Sequence, residues 1–418
     1  MPPTARAVLP ILCALGGATS AEAQNWTRFR GPGGAGLGEA RAIRATVTEE
    51  DVNWRVELAG RGHSSPVVWG ERVFVTGADA AAKERFIQCL RARDGGELWR
   101  VGDELEPNEQ HELNSFAAST PALDAERVYV AWPSGSSLFA LALDHAGERV
   151  WSRELCPSSA RHGSGASPVL AGDVLVVQND DEGGASALFG LDRATGETVW
   201  KRERETVRAS FATPLVLASD TRTEVLFAST AHGITSLDPA TGELNWEIAG
   251  VFEERCVASP VVAGDLLFAC AGQGGGGKES VAIDLAKARE RSADAVRYRL
   301  QRALPYVPTP IAADGLLFLW ADGGVVSCLD ARDGRERWRE RVDGSFFGSP
   351  VCVDGRLYAM SRSGELVVVA AGPEFELLSR FDLGEPTEAT PAVAGGALFL
   401  RTERHLTSIG GGSGDPRD

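Results

Sequence analysis

Short apolar runs separated by tight turns recur along this chain in a fixed order. Residues 167–200 show the unit: Ser167-Pro168-Val169-Leu170 is a brief apolar run opened by proline, Ala171-Gly172-Asp173 is a turn, and Val174-Leu175-Val176-Val177 is a second run. A variable loop leads to Ala187-Leu188-Phe189-Gly190-Leu191. Then Asp192-Arg193-Ala194-Thr195-Gly196-Glu197 turns the chain into Thr198-Val199-Trp200. Runs of this length, rich in β-branched residues and bounded by turn signals, predict strands joined as hairpins. Proline stands at the start of the first strand, where a missing N–H does least harm. Gly196 falls where a positive φ is wanted, and the Asp192 carboxylate is placed to bond the turn amides.

The opening dipeptide occurs eight times, at Ser65-Pro66, Thr120-Pro121, Ser167-Pro168, Thr213-Pro214, Ser259-Pro260, Thr309-Pro310, Ser349-Pro350 and Thr390-Pro391. The first and last lie 325 residues apart, an average interval of about 46, which is a period of propellers and arrays. Four short strands per repeat make one blade of an antiparallel propeller. The expected fold is all-β, an eight-bladed β-propeller of four-stranded antiparallel blades. The eighth repeat stops near Ile409 after three strands, and Asn53-Trp54-Arg55-Val56-Glu57-Leu58 has the alternation of the missing fourth. An N-terminal strand completing the last blade would remove the open edges.

The turn and its aromatic recur as Leu237-Asp238 to Trp246 and Leu329-Asp330 to Trp338, and less regularly before Trp99 and Trp151. Trp54, Trp99, Trp151, Trp200, Trp246, Tyr298 and Trp338 are therefore assigned to docking between blades, a role suited to a large ring with a polar handle. The insert Lys287–Asp294 has helical character, and the alternation Val296, Tyr298, Leu300 after it favours an outer strand. Repeat seven ends in Leu377-Leu378 without an aromatic.

Residues 1–23 read as an export signal, with Arg6 before an apolar stretch and Ala21-Glu22-Ala23 as a small-x-small cleavage site. Residues 24–50 form an N-terminal extension, 51–409 the propeller, and 410–418 a Gly-rich tail expected to be disordered. The expected location is periplasmic or secreted, and no stretch has the length of a membrane span. Six cysteines follow the signal. Cys256 and Cys270 flank one hairpin and could face each other, whereas the others sit in apolar strands as small core residues. The net charge of −16 disfavours nucleic acid as a partner.

The repeated Asp-x-x-Thr-Gly-x-x-x-Trp pattern on eight blades resembles the PQQ-like propeller family, over nearly all of the chain after the signal. That family includes quinoprotein alcohol dehydrogenases and non-enzymatic BamB-type outer-membrane assembly proteins. Trp26-x-x-Phe29-Arg30-Gly31-Pro32, His111-x-x-Asn114-Ser115 and Thr120-Pro121-Ala122-Leu123-Asp124 resemble secreted PQQ-like repeat proteins more closely. The dehydrogenase branch implies PQQ and Ca²⁺ in the central funnel, usually beside a vicinal disulfide. This chain has no adjacent cysteines and is shorter.

Other motifs carry less. Gly272-Gln273-Gly274-Gly275-Gly276-Gly277-Lys278 has phosphate-loop spacing but continues with Glu279 and lies in a hairpin. Asn179-Asp180-Asp181-Glu182 is an oxygen-rich cluster in a variable loop, read as solvated. His63 and His162 precede Ser-Pro strand starts, and His111 and Asn114 precede the second blade. These four are the candidate binding residues at the channel mouth, read as polar lining, with convergence on a metal as the alternative. The expected function is an exported propeller without catalysis of its own, serving as a binding or scaffolding module in the cell envelope. Its ligand or envelope partner is undefined; a PQQ- and Ca²⁺-dependent periplasmic oxidoreductase is the alternative.

Overall fold

A computed structural model describes residues 25–40, 43–159, 162–182, 186–206 and 208–410. The predicted signal and the tail beyond Gly410 lie outside these residues. The strands form eight sheets arranged as an eight-bladed propeller. Blade 3 illustrates the plan: Val169–Ala171, Val174–Asn179, Ser186–Asp192 and Thr198–Arg204 pair antiparallel in sequence order, from the channel outward.

The second and third strands of a blade are buried on both faces, because each blade is sandwiched between two others. Val174–Asn179 is buried throughout, and the outermost strand Thr198–Arg204 is largely exposed. The apolar core is accordingly a ring of clusters shared by adjacent blades. Ala140, Trp151, Val177 and Phe189 fill the joint between blades 2 and 3, and Val176, Trp200, Val225 and Phe227 the next joint. Burial on both faces explains why the central strands read as continuous apolar runs.

The docking aromatics act across these joints. The Trp200 indole N–H donates to Pro239 O of blade 4 at 2.8 Å, and its ring lies over the turn glycine Gly242, where a Cβ would stand 2.6 Å from a ring carbon. Trp54, Trp99, Trp151 and Tyr298 repeat the arrangement on Gly95, Gly147, Gly196 and Gly334, bonding Ala92, His145, Arg193 and Ala331 carbonyls. Trp338 donates to Gly372 O. Trp246 differs. Blade 5 replaces the turn with the helix Leu285–Arg289, so the indole donates instead to Glu224 of its own blade, and Arg289 reaches back to the same carboxylate.

The ring closes in blade 8, where Val52–Glu57 pairs with His405–Gly410. The insert after the third strand of blade 5 is helix first and then the outer strand Val296–Tyr298. Two sequence expectations are corrected. Cys256 and Cys270 do not bridge; all six described cysteines are free and buried. Asn179, Asp180 and Asp181 are buried rather than solvated, with the Asp180 carboxylate against the Arg204 guanidinium at 3.5 Å.

The N-terminal extension runs through the centre of the ring. Trp26 makes a two-bond bridge to Val68 of blade 1, and Thr27 O accepts from Leu123 N of blade 2. Arg28 donates to Pro214 O of blade 4, and Arg30 to Pro310 O of blade 6, each at 2.7 Å. Leu37–Gly38 then adds a parallel strand to blade 7. Gly31 at φ 67 has no room for a side chain, since a Cβ would meet the Trp26 ring at 2.5 Å.

Candidate functional site

The eight Ser/Thr residues that open the blades face the channel and bond to one another. The backbone N–H of Ser65 donates to the Thr120 hydroxyl at 2.9 Å, Thr120 N–H to Ser167, and Ser167 N–H to Thr213. The chain of bonds resumes from Ser259 through Thr309, Ser349 and Thr390, and returns to Ser65. Seven of eight links are made; at the eighth, between blades 4 and 5, the buried Ser259 hydroxyl has no partner. Because proline follows each Ser/Thr, the N–H used here is the last donor before the strand. The hydroxyl of the neighbouring blade satisfies it, which is why Ser or Thr recurs at this position.

Above this ring opens a bowl of about 690 Å³. The residue two before each Ser/Thr, in the segment leading into the blade's innermost strand, contributes to its wall. In blade order these are His63, Ala118, Gly165, Phe211, Val257, Val307, Phe347 and Glu388, and all eight line it. Phe29 of the threaded N-terminal segment lines it as well, so the bowl has a floor rather than a through-channel. Blades 4 to 7 thus present an apolar arc, blades 2 and 3 small residues, and blades 8 and 1 polar groups.

His63, His111, Asn114 and His162 all line this bowl. His111 and His162 stack with ring centroids 6.1 Å apart. Asn114 is a clamp: its amide donates to His162 O at 2.7 Å and Ser164 O at 3.1 Å, and its oxygen accepts from Ser115 N. Burial, with Arg401 and Arg362 nearby, pushes the His63 imidazole down to about 4, so it is neutral at pH 7. His145, His232 and His405 lie elsewhere: His145 packs on Phe74 and Trp69, and the other two pair with Glu247 and Glu385.

The carboxylates in and beside the bowl each accept hydrogen bonds from protein groups. Glu182 is bonded by Arg255, whose guanidinium lies 5.9 Å from the Phe211 ring. Arg362 donates to Glu388 Oε1 at 2.8 Å and lies over Phe347 at 4.5 Å. Asp322 accepts the backbone N–H groups of Tyr306 and Val307 at 2.7 and 3.2 Å. Burial raises the carboxyl of Asp322 against these bonds, and that of Glu388 against Arg362. Glu388 Oε2 is buried without a partner.

PQQ with Ca²⁺ would need oxygen ligands gathered around one point. Here Asp322 caps amides, while Glu182 and Glu388 are tied to separate arginines. Among the described residues no three His, Cys, Asp or Glu are grouped to hold a metal ion. The donor set does not fit that group. Phe211, Arg255, Asp322, Phe347, Arg362 and Glu388 were not singled out from sequence, and Phe29 was noted only as part of a motif; the two-residue offset from Ser/Thr would have found Phe211, Phe347 and Glu388.

Residues 83–299 and 297–373 match the family described as outer membrane protein assembly factor BamB. The chain is 24% identical over 290 residues to the outer membrane protein assembly factor BamB of Yersinia pestis, covering 65% of this chain and 70% of that protein. Among solved structures, BamB from Moraxella catarrhalis superposes with a TM-score of 0.63 at 19% identity, over 85% of this chain and 95% of its own. A europium-containing methanol dehydrogenase gives a TM-score of 0.70 at 11% identity, covering 92% and 89%; at such identities the likeness is one of fold. With two matched segments spanning most of the ring, the chain belongs to the BamB-type family of PQQ-like repeat propellers.

Proposed function

We propose that this protein is an exported, non-catalytic propeller that serves the cell envelope as a binding or scaffolding module and engages its ligand through the bowl. The observation that carries this reading is that the carboxylates at the bowl are already bonded. Catalytic acids and bases must be free to exchange protons with a substrate, whereas Arg255–Glu182, Arg362–Glu388 and the amide-bonded Asp322 hold shape and charge. An envelope protein is the partner class in keeping with the outer-membrane assembly factors of the family. Among the described residues no helix is long and apolar enough to cross a membrane.

The second reading, a PQQ- and Ca²⁺-dependent oxidoreductase, is favoured by the fold shared with the methanol dehydrogenase. Titrating residues 24–418 with PQQ, with and without Ca²⁺, and following tryptophan fluorescence separates the two. Absence of saturable quenching is expected. Calcium-dependent saturation below the micromolar range would overturn the non-catalytic reading.

A further inference from the structure

The wall of the bowl carries its charge unevenly, and on the reading above that the bowl is a binding site this narrows what it holds. Where blades 7, 8 and 1 meet, Arg362 lines the bowl. Its Nε donates to Glu388 Oε1 at 2.8 Å, and its guanidinium lies over the Phe347 ring at 4.5 Å. Held in this way the side chain is still 31% exposed, and its Nη1 and Nη2 are neither bonded to protein nor sealed into the wall. Such a fork matches the two oxygens of one carboxylate. Glu388 offsets one of two cations at this corner. The other, Arg401, is fully buried against Gly62, the neighbour of His63. It donates to the neutral oxygens Ser64 O, Ser64 Oγ and Thr76 O at 3.0, 2.5 and 2.7 Å. Burial lowers its guanidinium to about 9, so it is charged at pH 7. His63, held neutral by burial and by these two arginines, adds no opposing charge. Two guanidiniums against one carboxylate leave a positive corner, whose field the poorly solvated wall directs into the cavity.

Asp322, on blade 6, has the opposite sign. Its two oxygens accept the backbone N–H groups of Tyr306 and Val307, so its charge repels an anion from that side and turns it toward Arg362. Arg255 is matched by Glu182. The remaining wall is the apolar arc of Phe211, Val257, Val307 and Phe347, with Phe29 beneath. We propose that the bowl binds, without calcium, a molecule joining one carboxylate to an apolar body, the carboxylate on the Arg362 fork and the body along the arc. A second carboxylate would be driven toward Asp322. An ammonium group would look to Asp322 as its partner, and that residue is buried with both oxygens bonded.

Saturation-transfer NMR titrations of residues 24–418 test this with hydrocinnamate, its neutral amide, 3-phenylpropylammonium, and glutarate as an anion without an apolar body. Hydrocinnamate should bind about tenfold more tightly than its amide, an advantage that shrinks as salt is added. The ammonium and glutarate should bind more weakly than hydrocinnamate. Glu388→Gln keeps an oxygen for Arg362 Nε and removes the opposing charge, so it should tighten hydrocinnamate severalfold. Arg362→Gln alone would strand the Glu388 carboxylate; the double variant Arg362→Gln/Glu388→Gln avoids this and should lose most of the preference for acid over amide. Phe211→Ala should weaken acid and amide by a similar factor and leave their ratio unchanged. The proposal is overturned if no probe binds, if the amide binds as tightly as the acid, if the ammonium binds tightest, or if the double variant keeps the preference shown by Glu388→Gln. Binding of the amide or the ammonium in its place would leave the binding-module reading intact; calcium-dependent PQQ binding would defeat that reading itself.

Discussion

Gly242→Ala isolates what the turn glycine contributes to blade docking. Two costs are expected. At φ +72 an L-residue sits in the left-handed region, costing roughly 1–2 kcal/mol. The new Cβ would also stand 2.6 Å from the Trp200 ring, forcing the indole away from Pro239 O, to which it bonds at 2.8 Å. Overpacking of this kind costs about 1–3 kcal/mol, and the weakened bond about 1 more. The sum is about 3–6 kcal/mol. Gly264→Ala is the control: φ is +61, yet nothing lies within 4 Å of its Cβ, so only the backbone term applies, about 1–2 kcal/mol. Urea unfolding followed by circular dichroism gives both values, and a Trp200→Ala background should bring the Gly242→Ala cost down to that of the control. Equal losses at the two glycines in the parent protein would refute the argument that Gly242 is there to receive Trp200.

Ser167→Ala strips the acceptor from Thr120 N–H and should cost about 1–3 kcal/mol, whereas Ser259→Ala removes a hydroxyl without a partner and should be near neutral; thermal denaturation of the pair checks the ring. For His63, burial lowers the folded pKa from 6.5 to about 4, so the unfolded chain takes the proton first. Stability attributable to this group is full above pH 6.5 and lost as pH falls toward 4; His63→Asn should flatten that part of the urea-midpoint profile, and an unchanged slope would contradict it. The six cysteines are buried, and burial raises their thiols, Cys89 up to about 12 and Cys352 to about 11. A thiol-titrating dye should find none of them in native residues 24–418 and all six in denaturant.

What the sequence made legible was local. Asp192, Gly196 and Trp200 declare a turn and a docking ring within one short span, and the Ser/Thr-Pro starts count the blades. The bowl was half legible: His63, His111, Asn114 and His162 were found by proximity to strand starts, but Phe211, Phe347 and Glu388 required treating each Ser/Thr as a marker for the residue two places before it. Threading of Trp26–Gly38 through the ring was not legible, because its partners Val68, Pro214, Pro310 and Cys352 are spread over the whole chain and leave no periodic trace. Burial of Asp180 was hidden likewise, since its counterion Arg204 lies on the outer strand, beyond the intervening third one.

The threaded segment sets an order of events for making the molecule. Residues 25–38 leave the ribosome ahead of every blade, yet their contacts extend from blade 1 to Val393 in blade 8, and the strand that seals the ring waits for His405–Gly410. The first part synthesised is therefore among the last to find its place. A chain lacking residues 405–410 has no partner for Val52–Glu57, so the long-range closure waits until that strand has been made.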